Sequence, residues 1–231
     1  MALPFEIIIW RMQEFHFDSV DSTNDAARRL IAEGRLCGRG HVLAREQTAG
    51  RGTHGRTWVS PRDAGIYLSV VYTQAGPASA DLRGVTTAAG LACAEALRKI
   101  TGLTAIRLRP INDLIVHCRK LGGILTECEI ESGELKSLIV GVGINTRIAD
   151  RPLPPGAMAP ICLEECLGLG SVSEALTARI VNELIGTLQN SVAKELLGGG
   201  GPAERFPGVE GGLSAMSTGK NGPPRLVSPQ K

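Results

Sequence analysis

The second half of this chain sets β-like segments almost end to end, at 104–108, 114–117, 120–130 and 135–142, leaving no room for helices between them. Ser132-Gly133 marks a hairpin turn between the last two. Regular βαβ alternation is thereby excluded. Earlier segments add strands at Glu14–Asp18, His41–Glu46 and Gly65–Tyr72, the last with Ile66, Leu68 and Val70 on one face. Helical spacing appears three times. Asp21-Ser-Thr-Asn-Asp25 opens a helix reaching about Glu33, with Ala26, Ala27, Leu30 and Ile31 on one face, a Ser22/Asp25 capping-box spacing and Gly34 as the stop. Residues 79–101 carry Val85, Ala88, Ala89, Cys93 and Leu97 at helical spacing, and 173–196 form an amphipathic helix capped by Ser173. A Pro-rich connection at 151–160 and a short helix near 162–167 precede it. Hairpins interleaved with helices predict an α+β fold.

At 231 residues the chain suits one substantial domain with extensions. From Gly198 onward, four consecutive glycines and prolines at 202, 207, 223, 224 and 229 predict a tail with too little apolar periodicity to fold. The domain is expected to end near 197. Net charge is +2, from 25 Lys and Arg against 23 Asp and Glu, which excludes a strongly basic nucleic-acid-binding domain. Only 3% of residues are aromatic, so the core must rest on Val, Ile, Leu and Ala. No apolar run approaches the ~20 residues of a membrane span. Met1–Trp10, broken by Pro4 and Glu6, reads as a leading strand rather than an export signal. The six scattered cysteines are then expected to be reduced, and the compartment cytoplasmic. Cys162-x-x-x-Cys166 has ligand-like spacing, but the histidines at 16, 41, 54 and 117 supply no second pair beside it, so no structural zinc is expected there.

Chemistry concentrates in Gln47-Thr-Ala-Gly-Arg-Gly-Thr-His-Gly-Arg-Thr-Trp58. Glycines at 50, 52 and 55 let backbone N–H groups approach a ligand, and Arg51 and Arg56 add forked donors for carboxylate or phosphate. Gly50-x-Gly52-x-x-Gly55 matches the dinucleotide fingerprint in letters only. Thr57-Trp-Val-Ser-Pro61 does not open a helix, and Val70-Val-Tyr-Thr-Gln74, about twenty residues on, has no acid. Protein-kinase and Walker signatures are absent too. Three further segments suit an anion site: Arg109-Pro-Ile-Asn-Asp113, Arg119-Lys120-Leu-Gly-Gly-Ile-Leu-Thr126 and Gly141-Val-Gly-Ile-Asn145. Strand alternation puts Lys120, Gly122 and Ile124 on one side and Arg119 on the other.

With these blocks in view, the chain resembles the biotin protein ligases. The matching blocks are Asp21-Ser-Thr-Asn24, Gln47-Thr-Ala-Gly-Arg-Gly52, Gly55-Arg56 with Trp58 and Ser60-Pro61, Asn112-Asp-Leu114, Arg119–Leu125 and Val140–Asn145, in the family's order across residues 15–190. The resemblance implies a mixed, largely antiparallel β-sheet with helices packed against it. It implies ATP-dependent joining of biotin to AMP, then transfer to a lysine of a biotin carboxyl carrier protein of acetyl-CoA carboxylase or a related enzyme. It places Ser22, Thr23, Asn24, Gln47, Gly50, Gly52, Gly122 and Gly123 around biotin, and Arg51 and Lys120 at its carboxylate and the α-phosphate. Arg56, Trp58, Asn112 and Asn145 go with the nucleotide, and Asp113 with catalysis and Mg²⁺. Which group, if any, takes the proton of the acceptor lysine is left open by the resemblance; Asp113 is a candidate by its chemistry alone. The 47–58 loop is expected to order over the adenylate and exclude water. Relatives acting on lipoate or octanoate share the fold and a strand lysine, but Gly-Arg-Gly paired with Ser-Thr-Asn favours biotin.

Three departures from the family pattern stand out. Arg109-Pro110-Ile111 replaces a Lys-Trp-Pro, removing a large packing surface beside the nucleotide. Thr53 stands where a second loop Arg is usual, which should weaken retention of an anionic adenylate; a member that binds with little turnover is the alternative. The usual C-terminal β-barrel is not recognisable in 198–231, and only about 15 residues precede the match. No winged helix, and hence no DNA binding, is expected, with a monomer or homodimer and no membrane partner.

Overall fold

The computed structural model describes residues 12–77, 82–152 and 156–197. The strand expected at Met1–Trp10 and the tail at 198–231 lie outside them. The elements are β1 (Gln13–Phe17), α1 (Thr23–Ala32), β2 (Arg39–Ala44), β3 (Gly65–Pro77), α2 (Leu82–Thr101), β4 (Arg107–Arg109), β5 (Asp113–Val116), β6 (Arg119–Glu131), β7 (Glu134–Asn145), α3 (Leu163–Leu167) and α4 (Glu174–Leu197). Among the described residues seven strands form one sheet in the order β1-β2-β3-β7-β6-β5-β4. β1 runs parallel to β2, and every other neighbouring pair is antiparallel. The expected α+β class and mixed, largely antiparallel sheet are what the chain adopts. No described helix is long and apolar enough to cross a membrane.

Strand alternation sorts side chains onto two faces. Ile66, Leu68, Val70 and Tyr72 of β3, with Leu138, Val140, Val142 and Ile144 of β7, form one core with Ala89, Cys93 and Leu97 of α2 and Leu184, Leu188 and Val192 of α4. On the other face Val42, Val71 and Ile139 pack with Ala26, Ala27 and Leu30 of α1, and Phe15, Phe17, Val20 and Ile31 close its margin. Small residues replace aromatic bulk: Gly90 of α2 lets Leu108 come so close that a Cβ there would meet its Cδ1 at 2.6 Å. Ser132 and Gly133 both adopt left-handed φ, 52° and 80°, as a two-residue hairpin between β6 and β7 requires.

Two local details differ from the sequence reading. Ser22 occupies the N-cap of α1 with extended backbone, but its side chain makes no capping bond. The capping box does not form because its carboxylate is drawn elsewhere: Asp25 pairs with Arg28 at 2.6 Å and Arg51 at 2.8 Å. Asp21 instead accepts from the Ser22 N–H at 2.7 Å and grips Arg29 through both oxygens. The hydrogen-bonded Arg29 holds the Asp21 carboxyl down at about 2. At α4 the expected cap is present, with Ser173 Oγ accepting from Leu176 N at 3.2 Å.

Candidate active site

The α1 face of the sheet is left open beyond the helix, and the site is built there. Asn24 is seated over β7: a Cβ on Gly141 would meet its Oδ1 at 2.6 Å. Asn24 Oδ1 accepts from Ser69 Oγ at 2.6 Å, and its Nδ2 donates to Glu127 Oε2 at 2.6 Å. Its amide is thus held by the protein. Gln47 Oε1 accepts from Thr23 N at 2.8 Å and from Thr23 Oγ1 at 3.2 Å, while its Nε2 donates to Ser60 Oγ at 2.8 Å. Ser22, Thr23 and Asn24 are almost fully buried. The result is a fixed cluster of hydroxyls and amides at the start of α1.

The 47–58 loop folds back on itself. Gly52 N donates to Arg56 O at 2.7 Å and Trp58 N to Gly50 O at 2.9 Å, around a single 3₁₀ turn at Thr53–Gly55. Gly50 serves this closure rather than a ligand: a Cβ there would strike Trp58 O and come within 2.8 Å of Ser60 Oγ. Arg51 reaches Asp25 at 2.8 Å and Glu127 at 3.1 Å, and Glu127 also holds Arg28 at 2.7 Å. Thr53, in place of the usual arginine, ties Arg56 to its own loop, its carbonyl accepting from Nε at 3.2 Å and its hydroxyl from Nη2 at 3.4 Å. Trp58 lies over Gly143, whose missing Cβ makes room for the indole nitrogen. That nitrogen is buried, with no hydrogen-bond partner among the described residues.

Lys120 faces the same space, but not by the expected alternation. β5 pairs Leu114 with Gly122 and Ile115 with Lys120, so Leu121 is an extra residue in β6. Leu121 turns into the helical core at 0% exposure. This bulge sends Lys120 to the side of Gly123, where a Cβ would meet its Cε at 3.5 Å and Trp58 at 3.7 Å. Gly122 falls on the opposite face, against Gly143 O and Ile144 at 2.6 and 2.7 Å. Lys120, Gly122 and Ile124 therefore do not share a side. The Lys120 ammonium sits 5.3 Å from the Trp58 ring centre, within cation–π range.

Asp113 anchors this cationic end. Its Oδ1 lies 2.7 Å from Lys120 Nζ, and Oδ2 is bonded by Arg109. Burial pushes its carboxyl up, but the Lys120 and Arg109 contacts outweigh that and hold it below the usual range. A carboxylate so held is a poor proton acceptor, which removes the reason for assigning Asp113 as the base. The described residues do not fit Mg²⁺ there either. A divalent ion wants free oxygen ligands, whereas both Asp113 oxygens face cations. Since the folded value is depressed, the stabilisation from Asp113 is present above the free-carboxyl pKa of about 3.9 and is lost as pH falls through the folded value. Asp113→Asn should flatten the acid limb of a urea-midpoint-against-pH curve; an unchanged limb would show that the pairings contribute nothing.

Asn112 and Asn145 line the space while bracing its walls. Asn112 Nδ2 donates to Ile124 O at 3.1 Å, and Asn145 Nδ2 to Lys120 O at 3.3 Å and Ile161 O at 3.1 Å. Together these elements enclose a cavity of about 480 Å³, within the ~300–1,000 Å³ typical of small-molecule sites. Ser22, Thr23, Asn24, Gln47, Arg51, Gly52, Arg56, Trp58, Asn112, Asp113, Lys120, Gly123 and Asn145 all line it; Gly50 and Gly122 do not. Sequence reasoning missed Arg151, which opens the Pro-rich connection and donates to Ala64 O at 2.8 Å. No motif marks it. Also missed as lining were Cys118 and the 156–160 stretch. Among the described lining residues Arg51, Arg56, Arg109, Lys120 and Arg151 are cationic and Asp113 alone is acidic.

The cavity sets hydroxyl and amide groups near one part and cations near another, a lining chemically suited to an anionic guest. The chain belongs to the biotin/lipoate A/B protein ligase family, whose model matches residues 16–145. It is 35% identical over 177 residues to the bifunctional ligase/repressor BirA of Escherichia coli, covering 74% of this chain and 51% of that protein. It is 36% identical over 154 residues to the biotin–[acetyl-CoA-carboxylase] ligase of Paracoccus denitrificans, covering 62% and 60%. The chain thus spans between half and three-fifths of these two relatives. The biotin protein ligase of Leishmania major in complex with biotinyl-5-AMP aligns with a TM-score of 0.61 at 27% identity, over 80% of this chain and 78% of that one.

Proposed function

We propose that this chain is a biotin protein ligase that makes biotinyl-5′-AMP from biotin and ATP and passes the biotinyl group to a lysine of a biotin carboxyl carrier protein. One observation carries the reading: five cations and one carboxylate line a cavity that also holds the part-buried Thr23–Gln47 cluster. In the first step a biotin carboxylate oxygen bonds to the α-phosphorus and pyrophosphate leaves. In the second a lysine amine bonds to the acyl carbon and AMP leaves. Both steps gather negative charge around one phosphate, which prepositioned cations stabilise. Lys120 and Arg51 are assigned to the carboxylate and α-phosphate, and Arg56, Arg109 and Arg151 to the remaining phosphate charge. The Trp58 face flanks the nucleotide, and the Thr23–Gln47 cluster receives the uncharged ring end of biotin. Residues up to 197 are assigned as the catalytic unit, in a cytoplasmic setting.

A second reading, binding with little turnover, is favoured by one observation: Arg51 is engaged by Asp25 and Glu127, and Arg56 by Thr53. Exchange of labelled pyrophosphate into ATP separates the two. Exchange that requires biotin and is not supported by lipoate is the expected result. A biotin-induced thermal shift without exchange would establish the second reading, and exchange with lipoate alone would overturn both.

A further inference from the structure

The helical face of the sheet carries a second cluster of chemistry-bearing side chains, at the β1 edge. β1 and β2 are parallel and in register, Glu14 opposite His41 and His16 opposite Leu43. Phe15 and Phe17 are committed to the α1 cluster, so alternation sends Glu14 and His16 to the opposite face, beside His41. One ligand atom from each of Glu14, His16 and His41 lies within 4.8 Å of the others. The two imidazole rings are 5.7 Å apart, and His16 Nε2 is 4.0 Å from Glu14 Oε2. His41 is only 4% exposed, and its Nδ1 is buried with no hydrogen-bond partner among the described residues. Buried ring nitrogens are normally satisfied, so one with no protein partner among the described residues, beside another imidazole and a carboxylate, calls for a ligand.

We propose that Glu14, His16 and His41 form a binding site for one zinc-class divalent ion, on the sheet face opposite the cavity. The donor set is two imidazoles and a carboxylate, which borderline ions such as Zn²⁺ accept in tetrahedral geometry with water as the fourth ligand. Tetrahedral donors at Zn²⁺ distances lie about 3.3 Å apart, so the cluster must tighten. It can, because the Glu14 and His16 side chains are 62% and 61% exposed and free to move onto the buried His41. A metal there would cross-link the five-residue β1, at the sheet edge among the described residues, to β2, holding β1 in place. The site involves no residue of the cavity and stands whatever ligand the cavity takes.

The test is calorimetric titration of the untagged full chain with Zn²⁺, repeated on His16→Ala and Glu14→Gln, whose exposed positions leave the fold unaffected. One ion per chain is expected for the unaltered protein, with affinity lowered roughly tenfold or more in each variant. With Co²⁺ as the probe, the absorption should be that of nitrogen and oxygen ligands. Absence of stoichiometric binding, equal affinity in His16→Ala, or thiolate-to-cobalt charge-transfer bands pointing to one of the free cysteines would each overturn the proposal.

Discussion

Lys120→Ala should lower biotin-dependent pyrophosphate exchange by roughly 10²–10³-fold, the scale on which a preorganised charge-stabilising donor acts in a transition state. The ammonium lies between Asp113, at 2.7 Å, and the Trp58 ring, at 5.3 Å, so its position is fixed before any ligand arrives. Truncation leaves Arg109 to neutralise Asp113, and the stability cost should therefore be small. Unchanged far-ultraviolet circular dichroism with lost exchange is the expected pair of results. Lys120→Arg should recover little, because a planar fork cannot occupy the slot over Gly123 as an ammonium does. Exchange within a few-fold of the unaltered protein in Lys120→Ala would refute the assigned role.

Gly143→Ala is the second large effect. The added methyl would fall on the Trp58 indole nitrogen, so the ring must leave its seat over β7. Overpacking of this kind typically costs about 1–3 kcal/mol, here measured as a lowered urea midpoint. The larger consequence is at the cavity, where the ring flanking Lys120 is displaced; exchange should fall with a raised KM for ATP. In a Trp58→Ala background the same glycine change should add little, since the two residues act through one contact. Independent, additive losses would show that Gly143 acts on something other than Trp58.

Periodicity and turn chemistry made most of the fold legible. Even-numbered residues of β3 face α2 and α4, Ser132-Gly133 turns the β6–β7 hairpin, and Gly34 and Gly102 take the left-handed φ that follows a helix end. Motif order brought Ser22 to Asn145 into one cavity. Three things stayed hidden for physical reasons. The bulge at Leu121 has no marker, since an extra leucine is compatible with alternation on either side, so Lys120 was read onto the face of Gly122 and Ile124. Asp21 and Asp25 have the letters of helix-start residues, but arginines distant in sequence or on the next turn compete for their oxygens. Arg151 and the Glu14–His16–His41 grouping depend on long-range packing and on parallel register, neither of which is written in local spacing.

Of the five positive groups lining the cavity, Arg51 is paired with Asp25 and Glu127, and Lys120 and Arg109 with Asp113, so the residual self-repulsion comes from Arg56 and Arg151. An anionic occupant relieves that repulsion, so occupancy and rigidity should rise together, most for the most highly charged guest and least in concentrated salt. On the proposed reaction this supplies a direction as well as an affinity. Free biotin enters as a carboxylate, but after transfer its acyl carbon belongs to a neutral amide, and the attraction that drew it in no longer opposes departure of the modified carrier.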